Sequence, residues 1–280
     1  MTTRTHARGM CCFIAAIACS AFAAGITGCG GNSNVHSIPA PSPANITGNW
    51  ELTASLTSGG IAPIAVYLTA SSGSVSGIAF GPAATDNVCS ADGCCGSPIG
   101  FFSGVALSGT VDASGNLKLG TAAAGNPVFA MTGAVSGSTL SNGSFTLGGA
   151  CNTQGTITGV EYPALDGTYS GTLTSQVTGQ SFTVSATLGQ SSAPNSSGYL
   201  GLAGTGNVTG YSCISSAATP INTSYIGNYF NASLSPSSSE TLGLLAMLSP
   251  DGKTLAISYG FSLSGSRCNE DYGGGTLTLQ

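Results

Sequence analysis

One unit is written twice along this chain, and no other feature of its 280 residues narrows the possible folds so far. The first copy opens with ITGNWELTASL at Ile46, the second with LDGTYSGTLTS at Leu165. Each runs on into alternating apolar residues: Ile64, Val66 and Leu68 in one, Phe182, Val184, Ala186 and Leu188 in the other. The copies also close alike, SFTLGGACNTQGTITG against GFSLSGSRCNEDYGGGTLTL. Spacing supports the match, because Trp50 lies 44 residues before Cys94 and 101 before Cys151, while Tyr169 lies 44 before Cys213 and 99 before Cys268. A repeat of about 115 residues is long enough for each copy to build its own core.

Within a copy the apolar residues alternate. Trp50, Leu52, Ala54 and Leu56 share one face of a strand and Asn49, Glu51, Thr53 and Ser55 the other. Phe101, Val105, Leu107 and Val111 continue the pattern. Turn chemistry separates such runs, as in DASGN at 112–116, SGS at 136–138 and PDGK at 250–253. With 43 glycines and no collagen triplet, the chain is expected to be all-β with almost no helix. Roughly seven or eight strands per unit are predicted. The division is a leader over 1–28, a tether over 29–45, and two tandem antiparallel units over 46–162 and 163–280. Consecutive hairpins with one apolar face must close into up-and-down barrels or pack as sandwiches, since open edges recruit other chains. The barrel is the leading expectation.

Charge excludes several functions. After Cys29 three cations (Lys118, Lys253, Arg267) stand against ten acids, a net charge of −7. Charged residues make up 5% of the chain, against about 25% in an ordinary soluble domain. Nucleic-acid binding therefore has no electrostatic source, and phosphate recognition is disfavoured for the same reason. The two histidines, His6 and His36, fall in the leader and the tether, which leaves the units without an imidazole for triad chemistry. A carboxylate pair for glycan hydrolysis is the enzymatic alternative, drawn from Asp86, Asp92, Glu161, Asp166, Glu270 and Asp271. All six are expected in loops as solvated acids. Asp112, Ser114 and Asn116 have calcium-ligand chemistry, but their place between strands reads as a hairpin turn. Gly273 to Gly275 lack the helix and lysine of a phosphate loop. Tyr225, Tyr229 and Phe230 are expected to serve the core rather than a ligand platform.

Cysteine usage points to export. Cys11, Cys12 and Cys19 lie in the leader, and six remain in the units: Cys89, Cys94, Cys95, Cys151, Cys213 and Cys268. An even set in an exported chain implies disulfides. Cys213 and Cys268 are the only pair in the second copy. By analogy Cys94 or Cys95 is expected to join Cys151, and Cys89 to close onto the neighbour left over. A metal site built from Cys89, Cys94, Cys95 and Cys151 is the rival reading, and no cofactor is expected.

The first residues carry Arg4, Arg8 and no acid, followed by an apolar run from Cys11 to Gly25 that is too short to span a bilayer as a helix. Ala21-Phe22-Ala23 is one cleavage signal. Ile26-Thr27-Gly28-Cys29 resembles the lipobox of bacterial lipoproteins. That resemblance implies acylation of Cys29, cleavage just before it and attachment to the cell envelope, with Gly30 suggesting the outer membrane. Residues 30–45, GGNSNVHSIPAPSPAN, read as a flexible to semi-extended tether.

Gly48-Asn49-Trp50 is similar to the opening of calycin barrels, the lipocalins and avidins, and Gly167-Thr168-Tyr169 is a second, weaker instance. The resemblance implies up-and-down barrels and, in lipocalins, a basic residue over the tryptophan, a part open to Arg267 in the second copy alone. Past the first strand the biotin-gripping residues of avidins are not matched, so biotin binding is not implied. The expected function is that of a lipid-anchored surface protein with a non-catalytic binding, adhesion or structural role. Its partners are the membrane, through the lipid, and a small apolar ligand or a surface glycan or protein. A carboxylate-dependent glycan hydrolase is the alternative, and an outer-membrane pore is disfavoured by the internal cysteines and the anchor.

Overall fold

A computed structural model of the chain describes residues 42–57, 59–81, 103–121, 129–148, 153–237, 240–262 and 271–280. Every regular element among them is a strand. The first eight are β1 (Gly48–Leu56), β2 (Ile61–Ser71), β3 (Ser74–Phe80), β4 (Ser103–Val111), β5 (Asn116–Thr121), β6 (Phe129–Ser136), β7 (Thr139–Leu147) and β8 (Thr153–Tyr162). Each pairs antiparallel with the next, and β8 returns to β1 with Trp50 opposite Glu161 and Ala54 opposite Ile157. The result is a closed up-and-down barrel without a free edge.

The second copy repeats the order: β9 (Gly167–Ser175), β10 (Ser181–Pro194), β11 (Leu200–Thr209), β12 (Thr219–Tyr225), β13 (Tyr229–Ser237), β14 (Glu240–Leu248), β15 (Thr254–Ser262) and β16 (Tyr272–Leu279). β16 pairs with β9, but the ladder stops between β12 and β13. There the strands are joined by a bridge between Ile226 and Tyr229 and by the Thr223 hydroxyl, which donates to the Asn231 carbonyl at 2.8 Å. Pro220 and Pro236 stand on the two facing edges and lack the N–H a ladder needs. This sheet is barrel-like with one seam. The tandem all-β expectation therefore holds, and the barrel prevails over the sandwich.

The alternation read from the sequence becomes the inside of each barrel. Trp50 is 1% exposed and its indole N–H donates to the Ile46 carbonyl at 3.0 Å. Tyr169, its counterpart in the second barrel, is equally buried and donates its hydroxyl to the Gly252 carbonyl at 2.8 Å. Leu52, Ile64, Val66, Leu68, Leu107 and Leu117 complete much of the first core. Each such side chain contributes about 1.5–3 kcal/mol on leaving water. Inward-facing glycines are spaces that neighbours fill: a Cβ at Gly159 would lie 2.7 Å from Leu52 Cδ2, and one at Gly77 3.0 Å from Leu68 Cδ2. The entering chain already belongs to the barrel. The Ala44 N–H donates to the Asp112 carbonyl at 3.1 Å, the Thr47 hydroxyl accepts from the Ala70 N–H at 2.9 Å, and Ile46 is buried.

Pro41–Gln280 form one compact unit, within which the outer wall of β8, β1, β2 and β3 meets loops of the second barrel. Two cross-strand rows make that wall, Tyr162–Asn49–Tyr67–Ile78 and Val160–Glu51–Ala65–Phe80. Tyr162, Tyr67 and Val160 pack on the second core, Ala65 lies against Gly227, Ile78 against Gly198, and the Phe80 ring meets that of Tyr199 at 4.3 Å. At the centre Asn49 is buried and pairs like a strand with Gly227. It donates to the Gly227 carbonyl at 2.7 Å and accepts from the Gly227 N–H at 2.8 Å. Gly227 has φ of 73°, a left-handed conformation that favours glycine, and its missing Cβ lets Ala65 approach. Beside it Glu51 accepts the Asn228 N–H, and burial raises the Glu51 pKa above the ordinary carboxylate range despite that bond.

Asn49→Leu leaves both polar groups of Gly227 unpaired in a buried junction and is expected to cost about 2 kcal/mol. The single tryptophan, Trp50, reports on the first barrel alone, whereas far-UV circular dichroism reports on both. In urea the two signals are expected to coincide for the natural chain and to separate for Asn49→Leu.

Candidate functional site

The second barrel places a buried polar cluster at the end away from the first barrel. Alternation puts Ser175, the last residue of β9, on the inner face, where it stands opposite Gly273. The strand then turns back, and the Ser175 hydroxyl accepts the N–H groups of Val177 at 3.1 Å and Thr178 at 2.8 Å. It donates in turn to Asp271 Oδ1 at 2.7 Å. The other carboxylate oxygen accepts the Tyr211 hydroxyl and, at 3.4 Å, the Tyr259 hydroxyl. Phe182 lies against both rings, 4.3 Å from Tyr211 and 5.3 Å from Tyr259 between centroids. Glycine 273 makes room for this arrangement, since a Cβ there would lie 2.8 Å from Tyr259 Cε1. Gly273 to Gly275 are thus a packing device of β16.

Asp271 is 4% exposed. The expectation that the loop acids are solvated fails here, because Asp271 immediately precedes β16 and the barrel mouth closes over it. A buried carboxylate must be matched by donors, and three hydroxyls supply them. Burial raises the Tyr211 pKa well above the ordinary tyrosine value, with the bond to Asp271 adding to it. Burial likewise pushes Tyr259 up to about 12. Ser175 uses its hydroxyl in three directions, accepting two turn N–H groups and donating to Asp271. The cluster is a latch tying the β9–β10 turn, the segment after β11 and the entry to β16. Cys213, two residues beyond Tyr211, packs on the same core and is disulfide-bonded. Its expected partner Cys268 lies outside the described residues, as do Cys29, Cys89, Cys94, Cys95, Cys151 and Arg267.

Of the remaining candidate acids, Glu161 and Asp166 are among the described residues, and each has its own surroundings. Asp86, Asp92 and Glu270 lie outside the described residues. Glu161 sits at the mouth of the first barrel against Gly48, and burial raises its pKa. Asp166 accepts the Gln190 N–H at 2.8 Å, while the Gln190 side chain accepts the Leu165 N–H at 2.8 Å and the Tyr225 hydroxyl. Asp112 is a turn residue: its Oδ1 accepts the N–H groups of Ser114 and Asn116 and its Oδ2 the Asn116 side-chain amide, around Gly115 with φ of 83°. The Asn116 amide bond, reinforced by the turn N–H groups, holds the Asp112 pKa below the carboxylate range. Ser114 and Asn116 present donors to Asp112, which is the geometry of a hairpin turn. Tyr225 and Phe230 are core residues with rings 5.9 Å apart, whereas Tyr229 faces outward.

Both barrels carry apolar side chains inside and Ser, Thr and Asn outside, the reverse of a membrane pore, whose lipid-facing band is apolar. No family model matches the chain, and no curated protein does. Among solved structures, a protein of unknown function from the DUF3598 family of Nostoc punctiforme is similar with a TM-score of 0.25 and 8% identity, over 84% of this chain and 96% of its own.

Asp271→Ala strands three hydroxyls and is expected to lower stability by about 3 kcal/mol, whereas exposed Tyr272→Ala should change it by less than about 0.5 kcal/mol; thermal melts compare them. The two raised tyrosines contribute stability that is complete below their ordinary value near pH 10 and lost as pH rises through their raised values, about 12 for Tyr259 and higher for Tyr211. A variant carrying Tyr211→Phe and Tyr259→Phe is expected to lose this alkaline sensitivity, as read from stability measured at stepwise rising pH.

Proposed function

We propose that the protein is a lipid-anchored component of a bacterial cell envelope with a non-catalytic binding, adhesion or structural role, exercised by the outer walls and loops of its barrels. The observation that carries this reading is the filling of the barrel interiors by their own side chains, with leucines seated in the spaces beside Gly159, Gly77 and Gly206. That filling supports an exterior role over an enclosed apolar ligand. The described acids support a non-catalytic role, since Asp112, Asp166, Asp251 and Glu240 each bind backbone or side-chain groups of neighbouring segments.

The anchor in this proposal is Cys29, acylated at the end of the ITGC motif, with the outer membrane as its site. Twelve residues then separate it from the first described residue, a reach of at most about 45 Å. Two or more acyl chains hold a protein stably on a bilayer. Disulfides joining Cys213 to Cys268, and Cys94 or Cys95 to Cys151, complete the reading of an exported, oxidised protein.

Cys29→Ser is expected to move the protein from the membrane fraction to the soluble fraction and to abolish labelling by radioactive palmitate. Mass spectrometry of the mature amino terminus checks the same point: a diacylglyceryl cysteine is expected, and an unmodified start at Ala24 would refute the anchor.

A further inference from the structure

The corner of the β12–β13 loop, Gly227-Asn228, is gripped by three side chains of the first barrel's outer wall. Asn49 holds both backbone polar groups of Gly227, at 2.7 and 2.8 Å. Glu51, two residues along β1, accepts the Asn228 N–H. Tyr162, across from Asn49 on β8, shares a hydrogen bond with the Asn228 side chain. The Asn228 carbonyl accepts the Leu248 N–H at 2.6 Å, so the same residue ties the junction to the end of β14.

Of the three, Glu51 alone carries charge near neutral pH, and its surroundings do little to balance that charge. In its cross-strand row it stands between Val160 and Ala65, with Phe80 beyond. A Cβ on Gly227 would lie 3.6 Å from Glu51 Oε2 and 2.7 Å from Ala65 Cβ, so the loop backbone sits directly on this part of the wall. Among the described residues no cation pairs with Glu51. The titratable group that faces it from β8 is the Tyr162 hydroxyl, whose pKa burial raises. From β2, Ala65 shares its row and Tyr67 stands in the neighbouring one, and the loop residues Ile226, Gly227 and Asn228 bring no ionisable side chain. A half-buried carboxylate with one N–H donor and no cation is costly to ionise.

We propose that Glu51 makes the junction between the barrels pH-sensitive: with its carboxyl protonated the second barrel is held more firmly against the first, and ionisation loosens the Gly227-Asn228 corner. Protonation removes the charge that burial opposes and gives the group an O–H to donate. The direction of the linkage follows from burial, which raises the Glu51 pKa above its ordinary value near 4.5. The contribution is complete below that ordinary value and is lost as pH rises through the raised one. Trp50 and Leu52, on either side of Glu51 in β1, face the first core, so the response is confined to the contact between the barrels.

The test follows amide exchange of the whole protein by NMR from mildly acidic to neutral pH, each rate corrected for the intrinsic pH dependence of exchange. The Gly227 N–H, which donates to Asn49, reports on the junction. The amide of Val184, buried on β10 between β9 and β11, reports on the second core. Protection of Gly227 is expected to fall at least about threefold as pH rises through the raised Glu51 value, with Val184 unchanged. In Glu51→Gln that fall is expected to vanish, and Gly227 protection at neutral pH to exceed that of the natural chain. Glu161→Gln removes a carboxylate from the position opposite Trp50 and is expected to keep the natural profile. In the natural chain the chemical shift of the Glu51 carboxyl carbon is expected to titrate with the same midpoint as Gly227 protection, which tests the proposal without any substitution. Protection that is independent of pH or rises with it would overturn the proposal, as would a Glu51→Gln profile that matches the natural one or two midpoints that differ. A fall shared equally by Val184 would overturn it too, because it would report unfolding of the barrel and not release of the junction.

Discussion

Pairing of β8 with β1 closes the first barrel, and much else follows from that closure. Once the ladder has no edge, every strand must keep its apolar positions inward, because a slip of one residue turns a whole strand inside out. The irregularities that remain are absorbed locally. Between Leu140 and Gly143 the β7–β8 register shifts, with Asn142 taking a φ of 50°, and inward alternation resumes at Gly143, Phe145 and Leu147. In the second barrel the same pairing runs through β16 and β9, and the remaining gap falls between two strands that each carry a proline. Proline on such edges blunts them against pairing with other chains.

Closure also leaves the outer faces free for different uses. On the first barrel, the wall of β8, β1, β2 and β3 is spent on the junction, where Asn49 treats Gly227 as a neighbouring strand would. The second barrel turns one end to that wall and seals the other with the Asp271 latch. Its own wall is left neutral and hydroxylated. In a molecule with so few charges, their placement is informative: acids cap turns or sit at barrel ends, where backbone N–H groups and hydroxyls can match them. The strands themselves are almost free of charge.

Much of the fold was legible before any coordinates. The duplication, the inward Trp50 and Tyr169, the count of seven or eight strands per unit and the DASGN hairpin all follow from local pattern and turn chemistry, which act over a few residues. The latch was only half legible. Asp271 stood among the candidate acids, but a position just before a strand says nothing about whether a barrel mouth closes over it. Tyr211 and Tyr259 lie 60 and 12 residues from Asp271 and carried no signal of their own. Tyr229 is expected in the core with Tyr225 and Phe230, yet alternation sends Tyr229 and Phe230 in opposite directions once the strand start is known.

By itself, then, the sequence determined the class of fold, the repeat, the faces of the strands and the scarcity of charge, because period-two alternation and turn residues are local properties. The tertiary structure decided which residues meet across strands: the Asn49–Gly227 pair spanning 178 residues, the buried Asp271 and the row of Thr209, Thr183, Thr172 and Thr276. Register sets those meetings. It comes from the closing of each sheet as a whole and from the filling of its core, and no short stretch of chain contains that information.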